Sequence, residues 1–120
     1  MNVAEKMCPQ VWQKIKKLAE THETPFLALD LNSIKEKYDE LQQGFDYARI
    51  FYAVKANPAD EIIELLAERG ANFDIASTFE LDKVMKFGVL PERMSFGNTI
   101  KKARDVAYFH ERGIDLFATD

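Results

Sequence analysis

An α/β fold on a parallel sheet, arranged as the N-terminal part of a (β/α)8 barrel, is predicted by three observations. Short apolar runs of strand length alternate with amphipathic helical stretches. The carboxyl ends of the predicted strands recur at a nearly constant interval: Lys55 to Ser77 is 22 residues, Ser77 to Asn98 is 21, and Asn98 to Asp120 is 22. The turn after the first of these strands, Lys55-Ala56-Asn57-Pro58, lacks the glycine-rich fingerprint of a doubly wound dinucleotide-binding sheet. Strands and helices alternating at this spacing imply right-handed βαβ units. A closed barrel takes about 250 residues. These 120 residues hold four predicted strands and three following helices, so an unclosed half with exposed strand edges is expected.

Each element follows from its own residues. Val11, Trp12, Ile15, Leu18 and Ala19 fall at helical spacing behind Pro9, which suits a first turn, and the polar run Glu20-Thr21-His22-Glu23-Thr24 ends that helix. Pro25 opens Phe26-Leu27-Ala28-Leu29, an apolar run of strand length. Leu31, Ile34, Tyr38, Leu41 and Phe45 then mark a second helix, broken at Gly44-Phe45-Asp46. Arg49-Ile50-Phe51-Tyr52-Ala53-Val54 is nearly continuously apolar, as parallel strands buried on both faces are. Asn57 as N-cap and Pro58 as first helical residue introduce a helix carrying Ile62, Ile63, Leu65 and Leu66, which stops at Gly70. Phe73-Asp74-Ile75-Ala76 leads through Ser77-Thr78 to a helix with Leu81, Val84, Met85 and Phe87, ending at Gly88. Met94-Ser95-Phe96-Gly97-Asn98 leads to a helix with Ile100, Ala103, Val106, Ala107 and Phe109, ending at Gly113. Leu116-Phe117-Ala118-Thr119 is the fourth strand.

Composition narrows the function classes. With 47% hydrophobic and 30% charged residues the chain belongs with globular domains. Its net charge of -4 gives no basic stripe for a nucleic-acid partner. Lys14, Lys16 and Lys17 are balanced by Glu20 and Glu23 on a solvated helix face. No apolar run suggests a membrane segment, and the one cysteine, Cys8, cannot form an internal disulfide, so a reducing cytoplasm is the expected compartment. No metal is expected.

Functional groups of α/β proteins gather at the carboxyl ends of the strands, which selects Lys55, 74–77, Asn98 and Thr119-Asp120. Lys55 directly follows a buried-type strand. Burial there would lower its pKa and make the amine a nucleophile for Schiff-base chemistry; a lysine snorkelling to water is the alternative its position leaves open. Asp74 interrupts an apolar strand pattern, so its carboxylate needs a partner, and a cationic Lys55 on the neighbouring strand is a natural one. Ser77-Thr78-Phe79-Glu80 matches a capping box, which gives Glu80 a structural role whether or not it has another. His22 and His110 lie in polar, helical settings that suit solvation.

Phe51-Tyr52-Ala53-Val54-Lys55-Ala56-Asn57 resembles the cofactor-lysine segment of the group IV decarboxylases among the alanine-racemase-like, fold-type III pyridoxal-phosphate enzymes. Phe73-Asp74-Ile75-Ala76-Ser77 with Glu80-Leu81, then Phe96-Gly97-Asn98-Thr99-Ile100-Lys101, then Phe117-Ala118-Thr119-Asp120 follow in that family's order and spacing. The likeness runs from about Thr24 onward and is greatest to ornithine and lysine/ornithine decarboxylases. Diaminopimelate decarboxylases are less similar, having a glycine-rich version of the second motif where this chain has Ala71-Asn72-Phe73 and Thr78-Phe79.

The resemblance implies pyridoxal 5'-phosphate held by Lys55, with Asp74 beside the lysine and cofactor and Glu80 nearby. It implies decarboxylation of ornithine or lysine to a diamine in polyamine biosynthesis, in a homodimeric enzyme. Residues 1–45 would comprise the N-terminal helix, a strand given to a separate β-domain at 26–29, and a connecting helix; residues 46–120 would be the first half of the cofactor-binding barrel. The family's phosphate loop, ring-nitrogen acid and stacking histidine have no counterpart in this sequence, so these residues are expected to be part of a longer enzyme and inactive alone. Alternatives within the fold are a diaminopimelate or carboxynorspermidine decarboxylase or a racemase. A non-catalytic homologue is the alternative outside enzymes, and the retained Lys55 argues against it.

Overall fold

A computed structural model describes residues 7–119. The chain divides into two compact units, 1–30 and 31–120. In the first, helix α1 (Pro9–Ala19) forms as predicted, with Pro9 in its opening turn and Lys16 and Lys17 in its last, where cations suit the helix dipole. Residues 26–29, expected as a strand of a separate β-domain, have no ladder partner among the described residues, and Leu27 is 79% exposed. An extended segment without a ladder partner has nothing to satisfy its backbone groups except water.

The second unit begins with α2 (Leu31–Gly44), a helix expected to belong with residues 1–45. Strand β1 (Phe51–Ala53) passes into a 3-10 turn at Val54–Ala56, and α3 (Asp60–Glu68), β2 (Asn72–Ile75), α4 (Thr78–Met85), β3 (Met94–Phe96) and α5 (Ala103–Glu111) follow. The sheet is parallel, in the order β1-β2-β3. Phe51 pairs with Asn72, Phe73 with Met94, and Phe96 bridges in parallel to Phe117, so each strand is displaced 21 residues from the last. The fourth strand is reduced to that bridge, held by Phe96 N–H to Leu116 O (2.9 Å) and Ala118 N–H to Phe96 O (3.1 Å). Asp120, its final predicted neighbour, lies outside the described residues.

Two helix starts differ from expectation, and in both an asparagine side chain closes a loop ahead of the helix. Asn57 is not the N-cap of α3. Its Oδ1 accepts the Ala59 N–H at 3.1 Å, Pro58 lies ahead of the helix, and Ala59 is the capping position. Ile100 lies outside α5 and is 85% exposed, because Asn98 Oδ1 takes the Ile100 N–H (3.3 Å) and Lys101 Nζ ties down the carbonyls of Asn98 and Ala118. The helix ends behave as predicted: Gly70, Gly88 and Gly113 all have positive φ, a conformation other residues adopt only with strain.

Side chains in β2 alternate. Phe73 and Ile75 are fully buried, whereas Asn72 and Asp74 on the opposite face are half-buried. The apolar side joins Val54, Ile63, Leu81, Val84 and Ile114 in one core, and Phe96 of β3 stacks on Phe109 of α5 at 3.9 Å between ring centres. The outer edge of β1 has no partner among the described residues. Beside it runs an apolar groove of about 460 Å³ lined by Tyr38, Leu41, Phe51, Ala53 and Leu66, the open edge expected of an unclosed sheet. No helix among the described residues is long and apolar enough to cross a membrane.

Candidate active site at the carboxyl end of the sheet

Parallel strands deliver their last residues to one end of the sheet, so Lys55, Asp74, Ala76 and Asn98 share that end although 21 or 22 residues separate successive motifs. Lys55 occupies the middle of the 3-10 turn that follows β1. The turn is fixed from within: Val54 is fully buried beneath it, and Tyr52 Oη donates to the Asn57 carbonyl at 2.9 Å across it. Lys55 itself is exposed, so the burial expected around its amine is not supplied by the described residues. The physical reason is local: successive residues of a 3-10 turn point about a third of a turn apart, and Val54 takes the inward position.

Asp74 is placed by register. It stands between Ala53 of β1 and Ser95 of β3 in one row across the sheet. Its carboxylate does not pair with Lys55 as expected; Ser95 Oγ donates to Oδ1 at 2.7 Å, and no ion pair joins Asp74 to Lys55 among the described residues. Ser95 directly faces Asp74, whereas Lys55 lies two residues past the row and projects to solvent. A Cβ on Gly97 would overlap the Asp74 carboxylate. Ser95 and Gly97 were not singled out from the sequence, yet the 21-residue offset contains the signal, because Asp74 plus one period is Ser95.

Glu80 has the capping role. Ser77, the N-cap of α4, accepts the Glu80 N–H at 3.2 Å, and Glu80 Oε2 accepts the Ala76 N–H at 2.7 Å. The carboxylate thus reaches one residue beyond the reciprocal bond of a simple capping box, to the end of β2. Asn98 Nδ2 donates to the Ala76 carbonyl at 3.2 Å, so both backbone groups of Ala76 are held by side chains. His22 Nδ1 donates to the Leu18 carbonyl at 3.1 Å, and His110 faces Asp115 at 3.5 Å on the exposed surface.

An amine open to solvent and a fixed carboxylate in the adjacent strand suit an aldehyde-bearing cofactor. The amine is the group that could hold an aldehyde carbon covalently, with loss of water.

Comparison with known proteins agrees with this chemistry. The family described as pyridoxal-dependent decarboxylase, pyridoxal binding domain, matches residues 31–120. A lysine/ornithine decarboxylase of Selenomonas ruminantium is 35% identical over 108 residues, which are 90% of this chain and 28% of that protein. The solved structure of SrLDC in complex with PLP and cadaverine superposes with a TM-score of 0.82 at 35% identity, over 90% of this chain and 28% of that one. A lysine/ornithine decarboxylase complexed with cadaverine from Vibrio vulnificus superposes with a TM-score of 0.86 at 26% identity, over 95% of this chain and 31% of that one. This chain therefore spans under a third of the length of these relatives. Its βαβ units are the barrel type of fold-type III decarboxylases.

Proposed function

Because the chain belongs to the pyridoxal-dependent decarboxylase family through its pyridoxal-binding domain, we propose that it serves the removal of the carboxyl group of ornithine or lysine, giving a diamine for polyamine synthesis. The observation that carries this reading is the gathering of Lys55, Asp74 and Glu80 at the carboxyl end of one parallel sheet. The ligands named for the relatives, cadaverine and putrescine, are diamines, the products such a reaction yields.

Pyridoxal 5'-phosphate, when bound, supplies the sink for the electron pair left as CO2 departs, before a proton replaces the carboxylate. The chain's own residues have three tasks. Lys55 would hold the cofactor covalently through Nζ. The Asp74 carboxylate balances positive charge beside it. Glu80 keeps the start of α4, and with it the end of β2, in place. The proposed protein is a homodimer of a reducing cytoplasm, a compartment in keeping with the exposed free thiol of Cys8. Residues 26–29 would serve as a strand of a separate β-domain.

The test is borohydride reduction of the full-length protein incubated with pyridoxal phosphate, followed by peptide mass analysis, alongside release of CO2 from ornithine and lysine. Cofactor fixed on Lys55, lost in Lys55→Ala, and a diamine product are expected. An inverted amino acid without CO2 would make it a racemase, and no cofactor on Lys55 would remove the enzyme reading.

A further inference from the structure

Ser95 is the one polar residue buried among the described residues, at 8% exposure. It lies in β3 between Met94 and Phe96, both buried, where a hydroxyl without a partner is destabilising. Nothing in the fold requires a hydroxyl there: the row neighbour two strands away is Ala53, and the core side of the sheet is built from Phe73, Ile75, Met94 and Phe96. The hydroxyl instead donates to Asp74 Oδ1 at 2.7 Å, a short, charge-assisted bond. Two residues on, Gly97 keeps the sheet's ladder by donating its N–H to Ile75 O at 2.9 Å, yet lacks the side chain that would overlap Oδ1, Oδ2 and Cγ of Asp74.

We infer that Ser95 and Gly97 together position the Asp74 carboxylate for its work beside the cofactor amine, Ser95 by holding Oδ1 and Gly97 by leaving the carboxylate its space. The hydroxyl fixes the rotation of the carboxylate, and the missing Cβ lets it lie against β3. With Oδ1 engaged, Oδ2 is the oxygen left to face a cation. The inference rests on the proposed function, since it assigns Asp74 to the cofactor. It adds two positioning residues to that site, on a strand whose own carboxyl end carries neither the lysine nor the acid.

The experiment has a cofactor-free and a cofactor-loaded arm. In the cofactor-free protein, the carboxyl 13C resonance of Asp74 should shift in Ser95→Ala and Gly97→Ala, and stay near wild type in Ser95→Thr, which keeps the hydroxyl. In the loaded protein, Ser95→Ala should weaken pyridoxal phosphate binding about tenfold, the effect of one charge-assisted hydrogen bond. It should also move the pH midpoint of the bound cofactor's visible absorbance. Against an Asp74→Ala background the same substitution should add nothing, because both act through one group. An Asp74 resonance indifferent to Ser95→Ala, or an equal effect of Ser95→Ala with and without Asp74, overturns the positioning role. A wild-type protein that takes no cofactor on Lys55, while the Asp74 resonance responds as stated, overturns the functional reading and leaves the Ser95–Asp74 coupling standing as a structural fact.

Discussion

Tyr52 Oη donates a hydrogen bond of 2.9 Å to the backbone carbonyl of Asn57, and this bond closes the turn that carries Lys55. The ring of Tyr52 packs edge-on against buried Phe73 at 6.4 Å, so the strand that leads into the turn also anchors its far side to the core. The position of the lysine is therefore set by a residue three places before it.

Tyr52→Phe keeps the ring and deletes the bond. We expect a loss of about 0.5–1.5 kcal/mol in urea unfolding, with greater hydrogen exchange at 55–57 and little change elsewhere.

The same phenol predicts a pH dependence. Burial pushes the Tyr52 hydroxyl above its ordinary value, and burial does the same to Tyr38 on α2. A group whose pKa is raised in the folded state loses its proton first in the unfolded chain. Above about pH 10 the unfolded state binds fewer protons, so stability falls as pH rises through that range. Unfolding free energies measured from about pH 9 to 11 should decline less steeply in Tyr52→Phe and in Tyr38→Phe than in wild type.

The start of α4 can be dissected. Ser77→Ala removes the acceptor for the Glu80 N–H and should cost about 1 kcal/mol. Glu80→Ala frees the Ala76 N–H and should cost a similar amount, while Glu80→Gln, which keeps an acceptor oxygen, should cost less. Equal losses in Gln and Ala variants, measured by chemical denaturation, would show that the bond to Ala76 contributes nothing.

Phe109 is fully buried and stacked on Phe96 with an interplanar angle of 11°. Phe109→Ala should destabilise by about 3–5 kcal/mol through the cavity it leaves. Phe109→Leu should recover a substantial part, and calorimetry distinguishes the two.

Arg93, which the sequence did not mark, donates from Nε to the Ala71 carbonyl (3.0 Å) and from its terminal nitrogen to the Ala67 carbonyl (3.0 Å), closing the C-terminal end of α3 onto the approach to β3. Arg93→Ala should cost about 1–3 kcal/mol in equilibrium unfolding. Lys, with one point charge and no fork, should rescue it only in part.

Local rules served the sequence well where a helix or strand carries its own signal. The apolar stripes of α2, α3 and α4, the Ser77 cap and the glycine stops all follow from spacing and backbone freedom within one turn of chain. They failed where a distant group competes for the same atoms. Asn57 has the chemistry of an N-cap, but Tyr52 takes its carbonyl and its side chain closes a turn. Ile100 fits the stripe of α5, but Lys101 binds the carbonyls of Asn98 and of Ala118, the latter 17 residues further along the chain.

What the sequence by itself determined is the βαβ order, the 21- to 22-residue rhythm, the strand ends at which Lys55 and Asp74 fall and the helix start that carries Glu80. These depend on residues near one another in the chain. Only the tertiary structure decided which side chain meets Asp74. Sheet register put Ser95 directly opposite it and left room for the carboxylate against Gly97, while the 3-10 turn carried Lys55 out to solvent. Register is a property of two strands at once, and a pattern along one strand cannot specify it.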